Sequence, residues 1–315
     1  MGNHNPKLHY TYNENNILGK GSYSTVYKGI YNNKDVAIKI INNNLNEIIN
    51  KQLKREIEIV KILCSKPHKN IILYHEAVNN NDDMVIIMDI CNVDLLTCIK
   101  KGLFLSDVIK YFSQIIDGYL HLHSLNILHR DIKSSNIMLI NDTIKFIDFG
   151  LSKINTDTDL NNTVLGSPLY MAPEILLNED NILIEKTEIW SLGVLLYEMV
   201  YGFTPYAYCK KIKVLQNTIK TQPILYTIKS YNNVYTVPDE LIEYMKTLLN
   251  IDINERINVE GLKCFNDIDF KTAPIQIPML IPHIDKKKTS LTQSLPIVSN
   301  LAQKTINTIN KYIAP

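Results

Sequence analysis

Just after residue 41 the apolar pattern of this chain changes period, and that change limits the folds open to it. From Tyr12 to Ile41, β-branched and aromatic residues run in short stretches broken by Gly19-Lys20-Gly21 and by Asn32-Asn33, as strands joined by turns do. From about Leu45 to Leu63 the spacing is helical: Ile48, Ile49, Leu53, Ile57, Val60 and Leu63 share one side. Ile71 to Tyr74 and Met84 to Asp89 return to strand character. Beyond them the pattern predicts mainly helices. One has Ser106 as its N-cap and Val108, Ile109, Phe112, Ile115, Ile116, Tyr119 and Leu120 as its apolar face. Short strands at Ile137 to Leu139 and Ile144 to Ile147 interrupt the run. Ile189 to Val200 is apolar nearly all round, as a helix at the centre of a helical lobe would be, with Gly202 as its stop. Helical segments continue to about Phe270. A strand-rich first third before a helix-rich remainder is an α+β arrangement in two lobes.

Composition narrows the class of function. The 315 residues carry a formal net charge of +1, which gives no basic excess for nucleic acid. No apolar run reaches the roughly 18–20 residues needed to span a bilayer, and the N-terminus has no signal-peptide core. Met1-Gly2 suits N-myristoylation, but Pro6 stands where that motif has Ser or Thr. Cys64, Cys91, Cys98, Cys209 and Cys264 are odd in number and lack C-x-x-C spacing, which reads as reduced thiols in the cytoplasm. Asparagine and isoleucine are over-used, as in Asn42-Asn43-Asn44. That is the codon bias of an A/T-rich protist or large virus, and for a virus the compartment becomes the host cytoplasm.

Leu18-Gly19-Lys20-Gly21-Ser22-Tyr23-Ser24-Thr25-Val26 is a glycine loop whose backbone could approach phosphates closely. A Rossmann loop opens into a helix, whereas here a strand follows. A Walker A loop ends in Gly-Lys-Ser/Thr, which is absent. Lys39, in Val36-Ala37-Ile38-Lys39, sits in an apolar strand and needs a counter-charge, for which Glu56 on the following helix is placed. Then come His129-Arg130-Asp131-Ile132-Lys133-Ser134-Ser135-Asn136, Asp148-Phe149-Gly150 and Gly166-Ser167-Pro168-Leu169-Tyr170-Met171-Ala172-Pro173-Glu174. Five motifs in this order and spacing resemble the eukaryotic protein kinases over about residues 12 to 270. The last segment also resembles the autophagy-initiating kinases.

That resemblance implies a bilobal kinase fold: a small antiparallel sheet with one main helix over residues 12–90, and a larger helical lobe over 91–270. Residues 1–11 would be an extension and 271–315 a tail, ordered only where it docks. It implies ATP and two Mg2+ ions as cofactors. Gly19, Lys20, Gly21, Ser22, Tyr23, Ser24 and Val26 would cover the nucleotide. Lys39, braced by Glu56, would hold its α- and β-phosphates. Leu18, Val26, Ala37 and Met138 would sandwich the adenine, Met88 would stand at the back of the pocket, and Asp89 to Cys91 would form the hinge. Asp94 would meet the ribose. Asp131 would take the proton of the acceptor hydroxyl with Lys133 beside it, and Asn136 and Asp148 would bind the metals. Glu174 would pair with Arg256. The partners implied are ATP and a protein with an acceptor serine, preferred over threonine because Leu151 follows the Asp-Phe-Gly stretch.

Two positions depart from the family pattern. Ser24 replaces the third glycine of the loop, with little loss expected. Glu188 stands where the family has Asp, and its extra methylene is expected to loosen a carboxylate support of the catalytic-loop backbone. Arg130 beside Asp131 and Thr163 before Gly166 imply control by phosphorylation of Thr163, by an upstream kinase or by the chain itself. Thr156, Thr158 and Ser167 are weaker sites. Tyr23 reads as an aromatic flap ahead of a regulatory phosphotyrosine. Glu198 and Asp94 would attract a basic substrate residue, although Ser135 removes a third acid. His121, His123 and His129 read as packing residues. The competing functions are a non-catalytic scaffold, which would lack Lys39, Asp131 or Asp148, and a small-molecule kinase, which would lack Ala172-Pro173-Glu174.

Overall fold

The computed structural model describes residues 3–4, 10–21, 24–42, 47–79, 83–154, 166–179, 183–227, 229–233 and 235–270. Six strands form one antiparallel sheet: β1 (Asn3–His4), β2 (Tyr10–Lys20), β3 (Ser24–Tyr31), β4 (Lys34–Asn42), β5 (Tyr74–Asn79) and β6 (Asp83–Asp89), in the order β1-β2-β3-β4-β6-β5. Asn32 and Asn33 both take left-handed backbone angles (φ 49 and 63). Successive residues at positive φ make the tight turn that matches strand twist, and asparagine tolerates that conformation.

Alternation along β4 decides which side chains meet the core. Val36 and Ile38 join Tyr10, Val85 and Ile87 in a small cluster on one face. On the other face Ile41, Met84 and Ile86 enter the main core with Ile59, Val60 and Leu63 of helix α1 (Glu47–Ser65). Lys39 has the parity of Ile41 and lies opposite Ile86, so it faces α1.

Ile71 to Tyr74 departs from the expected strand. Only Tyr74 opens β5, while Ile71 bridges Phe146 and the Ile72 N–H donates to Phe146 O at 3.0 Å. This run ties the sheet region to the hairpin β9 (Ile137–Ile140) and β10 (Thr143–Phe146). A third strand, β7 (Val93–Asp94), completes that small sheet, and β8 (Ile127–Leu128) pairs with β11 (Lys153–Ile154).

The remainder is helical: α2 (Leu95–Lys101), α3 (Leu105–Ser124), α4 (Pro173–Leu176), α5 (Ile184–Tyr201), α6 (Ile212–Thr221), α7 (Asp239–Leu248) and α8 (Val259–Lys263). The N-cap of α3 is Phe104, two residues before the expected Ser106, because Asp107 at the third helical position accepts the Phe104 N–H. Ile109 and Leu120 are only partly buried, and Leu122 completes the apolar stripe instead. Helix α5 is buried nearly all round and ends at Gly202, whose φ of 77 makes the left-handed cap the sequence predicts. Among the described residues no helix is long and apolar enough to cross a membrane.

Candidate active site

Sheet register gathers the first group of predicted residues. Gly19 lies opposite Val26, Val26 opposite Lys39, and Ala37 opposite Met88. Leu18 and Gly19 are thus on a strand edge above Val26, with Ala37 and Met88 further along the same sheet. In the second lobe Asp94 pairs with Met138 across β7 and β9. Ser22 and Tyr23 lie outside the described residues.

Lys39 Nζ donates to Glu56 Oε1 at 2.6 Å and to Asp148 Oδ1 at 3.3 Å. Burial works to lower the Lys39 pKa, but the charges of Glu56 and Asp148 outweigh it and the amine titrates above its ordinary value. Asp148 is the mirror case. Burial would raise its pKa, and Lys39 with the Gly150 N–H brings it below the ordinary value. Phe149 is buried against Tyr74 and His129, with ring centroids 6.2 and 5.1 Å away.

The second group centres on Asp131. Its Oδ2 accepts from Lys133 Nζ at 2.6 Å and from Asn136 Nδ2 at 2.9 Å. Its Oδ1 accepts the N–H and the hydroxyl of Ser167, both at 3.2 Å. Lys133 Nζ also reaches Ser167 Oγ at 3.0 Å. Gly166, at φ 115, brings this loop so close that an added Cβ would stand 3.0 Å from Arg130 O. Arg130 itself is left-handed (φ 64), and its N–H donates to Glu188 Oε1 at 2.8 Å. The longer acid therefore makes the backbone hydrogen bond, while its Oε2 is buried without a hydrogen-bond partner.

The β9–β10 hairpin joins the two groups. Phe146 pairs with Ile137, and the Ile147 N–H donates to Asn136 O at 3.1 Å, so Asn136 and Asp148 emerge side by side. The structure thus forms two groups, Lys39 with Glu56 and Asp148, and Asp131 with Lys133 and Asn136, and the hairpin backbone ties one to the other. Asn136 gives its amide N–H to Asp131, leaving its amide oxygen, with the Asp148 carboxylate, as the oxygen donors a hard cation prefers. Among the described residues no cluster of three or more His, Cys, Asp or Glu side chains could hold a metal.

Other expected residues are engaged elsewhere. Asp94 caps α2, taking the Thr97 N–H at 2.7 Å and its hydroxyl at 2.9 Å. Glu198 is buried and accepts the Tyr170 hydroxyl, which also meets Ser134 Oγ at 3.2 Å. Each carboxylate keeps acceptor lone pairs beyond these bonds. His121 and His129 meet backbone carbonyls of Lys66 and Ile147 at 3.0 and 3.1 Å. Glu174 pairs with Arg256 through two bonds of 2.7 and 3.0 Å. Ser167 is the residue that sequence reasoning undervalued. The glycine before it was the signal, because a glycine at a loop turn marks where backbone must approach closely.

Residues 12–265 match the model described as the protein kinase domain. The chain belongs to the protein kinase domain family. Similar kinases include serine/threonine-protein kinase kin-29 of Caenorhabditis elegans, 33% identical over 80% of this chain and 30% of that protein. Calcium-dependent protein kinase 5 of Plasmodium falciparum is 31% identical over 77% of this chain and 42% of that protein. Serine/threonine-protein kinase ATG1 of Saccharomyces cerevisiae is 26% identical over 94% of this chain and 38% of that protein. The chain thus spans less than half the length of each of these relatives.

Proposed function

We propose that this chain is an active serine/threonine protein kinase that moves the γ-phosphate of ATP onto a protein hydroxyl. The observation that carries the reading is a pair of hydrogen-bonded groups joined through the β9–β10 hairpin. The Lys39 amine stands between Glu56 and Asp148 at 2.6 and 3.3 Å, and Asp131 is held by Lys133, Asn136 and Ser167.

Magnesium and ATP would supply the phosphoryl group and much of the charge neutralisation. The chain's part is positioning and electrostatics. Leu18, Gly19, Gly21 and Val26 cover the nucleotide; Ala37, Met88, Cys91 and Met138 line its base, and Asp94 faces its sugar. Lys39 meets the α- and β-phosphates. Asn136 and Asp148 would hold two metal ions through their side-chain oxygens. Asp131 accepts the serine proton at a carboxylate oxygen, and Lys133 offsets charge on the transferred group. The acceptor is serine before threonine. We place the domain's end near residue 270, where Phe270 is buried against Phe265 at 5.1 Å.

Phosphorylation of Thr163, which lies outside the described residues, would order the loop it belongs to. The Arg130 guanidinium is the cation set to receive that phosphate. Thr163→Ala is expected to lower kcat/KM for a serine peptide at least about tenfold, and undiminished activity would remove this part of the proposal.

The test of the whole is ATP turnover with generic serine peptides, a tyrosine peptide and small-molecule alcohols. Transfer to serine is expected, with loss of product in Asp131→Ala and Asp148→Asn. A folded wild-type chain that binds ATP without turnover would make it a scaffold, and transfer confined to small alcohols would make it a small-molecule kinase.

A further inference from the structure

One stretch of the helical region has a charge unlike the rest of the chain. Between Glu198 and Asp239 the charged residues are Lys210, Lys211, Lys213, Lys220 and Lys229, with no carboxylate, in a chain whose net charge is +1. Lys210, Lys211, Ile212, Lys213 and Val214 are all exposed, Ile212 and Val214 by 48% each. None of the three lysines in this turn pairs with a carboxylate among the described residues. The opposite side of α6 is fixed: Leu215, Thr218 and Ile219 are buried, and Gln216 Nε2 donates to Leu176 O at 2.6 Å.

We propose that the surface from Lys210 to Val214 docks an acidic, amphipathic segment of the protein substrate, apart from the residue that is phosphorylated. The proposal rests on the kinase reading above. Scattered exposed apolar residues are ordinary, so Ile212 and Val214 alone would mean little. The lysines change the reading. Lys213 lies in the first turn of α6 and Lys211 is its N-cap, where a cation opposes the helix dipole, so their placement gains the fold nothing. Local choices that work against stability are expected where a surface serves binding. A carboxylate-bearing partner would offset that charge, and its apolar side chains would cover Ile212 and Val214.

The chemistry favours protein over other polyanions. Bases are read by stacking on aromatic or arginine side chains, and this turn carries neither. Recruitment to anionic lipid takes a cluster of roughly four to eight cations, more than the three here. Position supports a substrate as the occupant. Gln216 anchors α6 to Leu176 at the end of α4, and α4 follows the loop whose Ser167 touches Asp131. A segment docked on α6 would hold the acceptor near that carboxylate.

The test uses two peptides on the full chain. One is a short serine peptide. The other is the same peptide with a flexible linker and an extension of about three helical turns carrying Glu and Leu on one face. The extended peptide is expected to have a KM about tenfold lower at low salt with kcat unchanged, and to lose much of that advantage at high salt. Lys211→Glu with Lys213→Glu, and separately Ile212→Ser with Val214→Ser, should each raise KM for the extended peptide and leave both constants of the short one unchanged. If a charge-reversed chain does not fold, Lys211→Gln with Lys213→Gln replaces it. Equal KM values for the two peptides in the wild type overturn the proposal. So does a single-stranded oligonucleotide or a phosphatidylserine vesicle that binds this turn while the extended peptide does not. Fluorescence anisotropy of the labelled extended peptide reads docking without turnover. Binding without phosphorylation of either peptide would uphold the docking surface and overturn the kinase reading.

Discussion

At the scale of single residues, Glu188 shows how one methylene alters a site without breaking it. The carboxyl sits between α5 and the catalytic loop, where burial pushes its pKa up from 4.5 to about 7. Hydrogen bonds from the backbone of Arg130 and His129 and the Arg130 charge pull the other way and do not prevail. Another buried group coupled to it is the Tyr119 hydroxyl on α3, which also lacks a hydrogen-bond partner; burial first, then the charges of Glu188 and Glu185, keep it protonated by raising its pKa. The sign of the linkage follows. Between pH 4.5 and 7 the folded chain holds a proton on Glu188 that the unfolded chain has lost, so stability falls as pH rises through that window and the full penalty is present above it. Glu188→Gln keeps an acceptor for the Arg130 N–H and offers an N–H towards Tyr119. Relative to the wild type it is expected to gain on the order of 2–3 kcal/mol from pH 4.5 to 7.5. Urea unfolding midpoints at a series of pH values measure this, and a difference that does not change with pH would refute it.

At the scale of elements, Glu174 and Arg256 join the N-terminus of α4 to the turn before α8 across α5. Both are almost fully buried, and the guanidinium lies 5.1 Å over the Trp190 ring. Arg256 also donates to Lys186 O at 2.8 Å and Asn250 O at 3.0 Å. Arg256→Ala leaves a buried carboxylate and two carbonyls without their donor, so a loss of about 3–5 kcal/mol is expected. Glu174→Gln, which keeps one acceptor oxygen, should cost less. Denaturant unfolding of both variants checks the order. This pair was legible in the sequence through the family resemblance, which sets Arg256 against the Glu174 that ends the last motif. So were the helical period of α1, the burial of α5 and the need of Lys39 for Glu56, since each follows from the spacing of apolar residues or from the cost of a buried charge. What was not legible depended on partners distant in sequence. Ile71 to Tyr74 has the apolar character of a strand, yet the Ile71 N–H goes to His68 O, the Ile72 N–H to Phe146 O, and Leu73 O takes the Asp89 N–H. Asp94 and Glu198 read as free acids because nothing in the sequence announces Thr97 or Tyr170 as their partners. Ser106 has the chemistry of an N-cap, and Asp107 outcompeted it by closing the helix from inside the first turn.

At the scale of the whole molecule, the catalytic arrangement depends on a joint between the sheet region and the helical region. Lys39 comes from β4, Glu56 from α1, and Asp148 from the segment after β10. Glu56 is buried, so the helix cannot swing away without exposing its carboxylate and breaking the 2.6 Å bond that holds the amine. Asp148 makes the longer contact of 3.3 Å and has more exposed side-chain surface, so it is the partner freer to turn to a metal ion. Glu56→Gln keeps the shape and a neutral acceptor but removes the charge that most raises the Lys39 pKa. Lys39 would then lean towards Asp148, the remaining anion, and compete with metal for it. The expected outcome is a rise in the KM for Mg2+-ATP and in the magnesium needed for half-maximal rate, each about five- to tenfold. KM for the serine peptide should change little, because Asp131, Lys133 and Ser167 keep their own bonds. Steady-state kinetics at several magnesium concentrations separate these constants. If Glu56→Gln instead raised the peptide KM and left the nucleotide and magnesium constants alone, the joint would not be what organises the site. The structural role of Lys39 would then reduce to filling a charged gap beneath the sheet.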